Sequence, residues 1–106
     1  MDPEWGHQRL AECREEIDQV DVEILEMINR RTRIVEEIGR IKQDLNMAIY
    51  EPKREEQVFH NITSHNHGPL PNDAVKRVFE RIIDEMRAVQ RLRMLERQSA
   101  QRTQDS

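Results

Sequence analysis

A single cysteine, Cys13, rules out any disulfide within the chain and fits a reducing cytoplasm. It falls on an apolar helical stripe, where a thiol serves as a small buried hydrophobe rather than as a nucleophile. Aromatic residues are equally scarce: Trp5, Tyr50, Phe59 and Phe79 are the whole set. So few large ring side chains argue against a sheet-rich core. No apolar run approaches membrane-spanning length, and no signal-peptide pattern opens the chain. There is no excess of positive charge either. The net charge of −4 argues against a polyanionic partner such as nucleic acid, but leaves room for a small anion in a local basic pocket.

What remains is helix-forming material. In 106 residues the charged and the hydrophobic fractions are both 36%, and glycine occurs only three times, which fits one small all-α domain. The clearest pattern is the series Leu10, Cys13, Ile17, Val20, Ile24, Met27, Ile34, Ile38, Ile41, Leu45. Its steps of three and four mark one face of a helix from about residue 7 to 45. Such a helix spans roughly 55–60 Å, about twice the diameter of a small domain. A chain this short cannot cover that stripe alone, so a homodimer is expected. Gly39 is a mild conflict within the helix and marks a point of close helix approach.

The other elements are shorter. Met1 to Gly6 reads as a frayed leader, with Pro3 and Gly6 as breakers. Pro52 opens a second helix to about Thr63, burying Val58, Phe59 and Ile62. A turn-rich loop, Ser64 to Pro71, leads to Asn72 as the cap of a third helix, about 73–97. Its stripe is Val75, Val78, Phe79, Ile82, Ile83, Met86 and Val89, continued by Gln90. Residues 1–97 thus form the domain, and 98–106 have nothing to bury and read as a disordered tail.

One position breaks the long stripe. Where an apolar residue should fall between Met27 and Ile34 stands Arg31. A guanidinium on a core face costs several kcal/mol, at order of magnitude, unless an anion meets it. Lys42 lies about 20° from Arg31 around the helix and roughly 16 Å along it, so two long side chains can bracket a small dianion. Arg14 is about 25 Å from Arg31 and roughly 100° around, too far to hold the same molecule from one straight helix. If Arg14 joins the site, it comes from the partner subunit. At the start of the second helix, Glu51, Arg54 and Glu55 read either as a solvated cap or as a hydroxyl acceptor beside a carboxylate-binding arginine. Gln90 alone reads as a polar residue near the solvent boundary.

Taken together, these residues resemble the all-α class of chorismate mutases from Leu10 to about Gln90. The matching pieces are Leu10-x3-Arg14-x2-Ile17-Asp18-x2-Asp21, Ile28-Asn29-Arg30-Arg31 and Ile38-Gly39-Arg40-x-Lys42. After the first connection come Tyr50-Glu51-Pro52-Lys53-Arg54-Glu55, Gly68-Pro69-Leu70-Pro71, and Val78-Phe79-x2-Ile82-Ile83 leading to Gln90. The chain is most similar to the short module that some bacteria carry fused ahead of DAHP synthase.

The resemblance implies a three-helix intertwined homodimer that rearranges chorismate to prephenate in aromatic amino-acid biosynthesis, with no cofactor and no metal. It implies that Arg31 and Arg14 of the partner subunit clamp the substrate carboxylates. Lys42 and Gln90 would donate to the ether oxygen, and Glu55 would accept from the ring hydroxyl with Glu51 nearby. Arg54 would add positive charge near a carboxylate. Two residues depart from the pattern: Met86 stands where several relatives carry a small or hydroxylated side chain, and Glu51 where many carry aspartate. Two alternatives stay open, an isochorismate pyruvate lyase on the same scaffold and a non-catalytic dimeric regulatory module of DAHP synthase. His60, His65 and His67 lack an evident carboxylate or cysteine partner for a metal. Arg77, Arg81, Arg87, Arg91, Arg93 and Arg97 are interleaved with acids and read as a solvated helical face.

Overall fold

The computed structural model describes residues 2–105. Among them the chain is all-α, with three helices: α1 (Pro3–Asp44), α2 (Pro52–His65) and α3 (Asn72–Asp105). None of these is long and apolar enough to cross a membrane. The chain divides into two units, Met1–Arg33 and Ile34–Ser106, with the division falling inside α1.

The first unit is helical from Pro3, earlier than the expected start near residue 7, and this corrects the reading of a frayed leader. Asp2 explains the difference. Its Oδ1 accepts the Glu4 N–H at 3.1 Å and its carbonyl accepts the Gly6 N–H at 2.9 Å. An aspartate cap followed by proline in the first turn is a start signal, because proline has no N–H to leave unpaired there. Met1 lies outside the described residues. On the apolar stripe of this unit Leu10, Ile17, Val20, Ile24 and Met27 are each 46–58% exposed. On its polar side Arg9 bridges Glu12 at 3.1 Å and Glu16 at 3.3 Å.

In the second unit the buried residues are Val75, Ile83 and Met86 of α3, with Gly39 and Lys42 of α1 and Gln90 of α3. The expected stripe Ile34, Ile38, Ile41, Leu45 is instead 41–63% exposed. The α1 residues that meet α3 are instead Val35, Glu36, Gly39 and Gln43. Gln90 donates from Nε2 to the Val35 carbonyl at 3.3 Å, and a Cβ on Gly39 would lie 3.5 Å from Gln90 Cγ. That is ordinary van der Waals distance, so Gly39 touches α3 but an alanine would also fit there. Hydrophobic periodicity cannot reveal a face made of one valine, one glycine and two polar residues. On α3, Val78 is also exposed, at 51%.

α1 ends in a tight reversal of the chain. Asn46 adopts a left-handed conformation (φ 56°), the Asn46 N–H bonds the Gln43 carbonyl at 3.2 Å, and the Met47 N–H bonds the Lys42 carbonyl at 2.8 Å. That is the paired hydrogen bonding of a Schellman cap, in which asparagine is tolerated because its short side chain accepts positive φ. Asn46→Ala is expected to cost about 1 kcal/mol and Asn46→Gly to be neutral or slightly stabilising, both read by urea unfolding.

α2 ends at His65 rather than Thr63, with Asn66 as its cap. The Asn66 amide then donates to the Leu70 carbonyl at 2.8 Å and to Asn72 Oδ1 at 2.7 Å, tying the end of α2 to the start of α3. α3 continues through Asp105, so residues 98–105 are helical where the sequence reading placed a disordered tail. Neither glycine nor proline follows Pro71, so no breaker ends the helix at Arg97. Thr103 Oγ1 bonds the Ser99 carbonyl at 3.1 Å within this exposed extension.

Candidate active site

The Schellman cap reverses the chain so that Ile49 and Glu51 return to the side chain of Lys42. The Lys42 ammonium lies 2.6 Å from Glu51 Oε1 and 2.9 Å from the Ile49 carbonyl, which accepts a hydrogen bond from it. Lys42 is only 8% exposed. An ammonium has three N–H donors, and two are used here. The third is held in place for another acceptor, with little rotational freedom left to lose.

Gln90 is similarly buried, at 7%. One amide N–H is committed to Val35, which leaves the second N–H as a donor. Gln90 packs against α1 at Gly39, one helical turn before Lys42. Two buried donors, one cationic and one neutral, are therefore presented by neighbouring positions of this unit. Met86, one turn before Gln90 on α3, is 6% exposed and supplies an apolar boundary.

Glu55 lies in the first turn of α2, where Pro52 opens the helix and the Glu55 N–H bonds the Glu51 carbonyl at 3.1 Å. One of its oxygens, Oε1, is 3.1 Å from Arg87 Nη2. Arg87 also reaches Asp84 at 3.1 Å, and its guanidinium carbon lies 5.0 Å from the centre of the Tyr50 ring. Sequence reasoning missed Arg87 because it assigned the α3 arginines to a solvated face. That reading is corrected for three of them, which reach other helices. Arg87 pairs with Glu55 of α2, Arg93 with Glu36 of α1 at 2.7 Å, and Arg97 with Gln43 of α1. The Glu96 and Glu36 carboxylates raise the Arg93 guanidinium above its ordinary pKa. An available signal was position: Arg87 adjoins Met86 and is one turn after Ile83, two of the buried residues of α3.

The structure thus brings Lys42 to Glu51 and Glu55 to Arg87, and buries Gln90 and Met86. It does not bring Arg54 to them: that side chain is exposed and bonds Gln57 of its own helix at 3.4 Å. Arg14 and Arg31 belong to the first unit, Arg14 exposed and Arg31 half-buried. Among the described residues no group of three or more histidine, cysteine, aspartate or glutamate side chains is placed to hold a metal ion.

The chain is similar to several known proteins. A bifunctional chorismate mutase/prephenate dehydratase of Aquifex aeolicus is 36% identical over 80 residues, covering 72% of this chain and 22% of that protein. The chain therefore spans about a fifth of the length of that bifunctional relative. A chorismate mutase of Methanocaldococcus jannaschii is 30% identical over 94 residues, covering 87% of this chain and 94% of that one. The crystal structure of the Helicobacter pylori chorismate mutase in complex with prephenate superposes with a TM-score of 0.78 at 26% identity, covering 84% of this chain and 97% of that one. Residues 13–91 match the family model described as chorismate mutase type II, and the chain belongs to that family.

Proposed function

We propose that this chain catalyses the rearrangement of chorismate to prephenate. The observation that carries the reading is the pair of buried donors, the Lys42 ammonium fixed by Glu51 and Ile49 and the Gln90 amide fixed by Val35. Within one substrate molecule a C–O ether bond breaks while a C–C bond forms, and negative charge gathers on the ether oxygen. Lys42 and Gln90 donate to that oxygen. Donors oriented before the reaction do not have to reorganise during it, and each is worth about 3–4 kcal/mol by analogy with oxyanion holes. The reaction is unimolecular, so the remaining help comes from holding the compact, diaxial conformer. No cofactor and no metal is needed for such a step.

In this reading Glu55 accepts from the ring hydroxyl, while Glu51 anchors Lys42. Met86 closes the apolar side, where a small residue would leave more room. Arg31 binds one carboxylate, Arg14 of the partner subunit binds the other, and Arg54 adds positive charge nearby. Planar guanidinium forks suit carboxylates better than lysine does. The homodimer this requires is supported by the half-exposed stripe of Leu10, Ile17, Val20, Ile24 and Met27, too large an apolar face to leave in water. Association or fusion with another enzyme of aromatic biosynthesis, DAHP synthase in the sequence resemblance, is part of the same proposal. So is a cytoplasmic setting, supported by the lone cysteine.

The test follows chorismate absorbance with purified protein, with prephenate identified as product and isochorismate assayed in parallel. Consumption of chorismate to prephenate is the expected result. Turnover of isochorismate alone would move the assignment to a lyase, and turnover of neither by a folded dimer would make the chain a binding or regulatory module.

A further inference from the structure

Arg87 holds Glu55, a residue of the proposed site, yet the proposed reaction gives Arg87 itself no role. Its guanidinium connects three elements of the second unit: Asp84 in its own helix, Glu55 in α2, and the ring of Tyr50 in the segment leading into α2. Its side chain is 26% exposed and that of Glu55 is 21%, so this pair is far better shielded than the Arg81–Glu85 pair on the same helix, at 78% and 57%. Arg87 Nε is buried with no hydrogen-bond partner. A buried unpaired N–H is costly, and a pair selected only for stability would turn the fork to satisfy it. Here the guanidinium lies over the Tyr50 ring, and its Nη2 alone reaches both carboxylates.

We propose that Arg87 is the positioning residue for Glu55. By holding Oε1 of Glu55 it restrains the carboxylate and leaves Oε2 for the substrate hydroxyl. The Tyr50 ring, 5.0 Å from the guanidinium carbon, helps to hold the group. A shorter, point-like ammonium would not keep both this contact and the reach to Glu55 in the same geometry. The inference rests on the reading of Glu55 as hydroxyl acceptor, and the experiment separates the two. Arg87 itself touches no substrate in this scheme. Its effect passes through Glu55 alone.

The experiment is a double-mutant cycle on chorismate turnover with Arg87→Met, Glu55→Ala and the double variant, plus Arg87→Lys, each with its thermal midpoint. Arg87→Met is expected to lower kcat/KM about tenfold, the lower end of the range for residues that orient a ligand-contacting group. The same substitution in the Glu55→Ala background is expected to cause no further loss, and Arg87→Lys to recover only part of the activity. A merely structural role would move the thermal midpoint and lower activity alike in both backgrounds. Equal losses in the two backgrounds, or wild-type kinetics for Arg87→Met beside a crippled Glu55→Ala, would overturn the positioning role and leave Glu55 in place. Wild-type kinetics for Glu55→Ala would overturn the acceptor role itself. If Arg87→Met does not fold, the cycle is closed with Arg87→Lys, whose loss must likewise vanish in the Glu55→Ala background.

Discussion

Lys42→Ala is expected to lower kcat by about 10²–10³-fold while the protein stays folded, the loss that follows removal of one fixed donor at a developing negative charge. The two consequences separate because of where the partners lie. Glu51, left without its ammonium, has a side chain 39% exposed and can turn to water, so no carboxylate is trapped unpaired. The Ile49 carbonyl likewise sits in a connection, not in a helical ladder. A stability cost of about 1 kcal/mol is expected, against a barrier increase of about 3–4 kcal/mol. Lys42→Met keeps most of the aliphatic stem and is expected to lose the same activity with less change in thermal midpoint. Circular dichroism and thermal unfolding read the fold, and chorismate consumption reads the barrier. Near-normal kcat in both variants would remove Lys42 from the reaction.

The contrast between Lys42 and Arg87 shows which features the sequence could disclose. The three helices were legible because apolar steps of three and four, Pro52 and Asn72 are local signals. Lys42, Gln90, Glu51 and Glu55 of the proposed site could be singled out as parts of ordered pieces at characteristic spacings. Arg87 was not, because its role depends on Glu55 being 32 residues away in sequence yet 3.1 Å away in space. The face of Val35, Glu36, Gly39 and Gln43 was hidden for another reason. Periodicity reports every apolar face a helix owns, and on α1 the strongest one is not the face that meets α3. Helix ends failed where a capping pair was taken for a breaker, at Asp2-Pro3, and where the absence of hydrophobes was taken for disorder, beyond Arg97. A polar helix without breakers can continue on propensity alone.

Mixing Arg14→Ala with Arg31→Ala protein is expected to restore activity that neither variant has alone. In the proposed homodimer each site takes Arg31 from one protomer and Arg14 from the partner subunit. Either variant by itself then lacks one carboxylate ligand in both sites. Two-fold symmetry makes the heterodimer different: one of its sites loses both arginines and the other keeps both. After random exchange of subunits, half the dimers are mixed and carry one intact site in two, so about a quarter of wild-type activity returns. Arg14 is exposed on a unit whose neighbouring apolar stripe is itself about half exposed, as a residue serving a second copy should be. Exchange is driven by brief unfolding in urea and dilution, and the mixed dimer is isolated with two different affinity tags. Recovery only in the mixed fraction is the expected result. If both homodimers and the mixture are equally inactive while all are folded dimers, each protomer must supply its own arginines, and the shared site is wrong. If Arg14→Ala alone keeps full activity, Arg14 binds no substrate, and the exposed stripe then accounts for association without any residue lent across it.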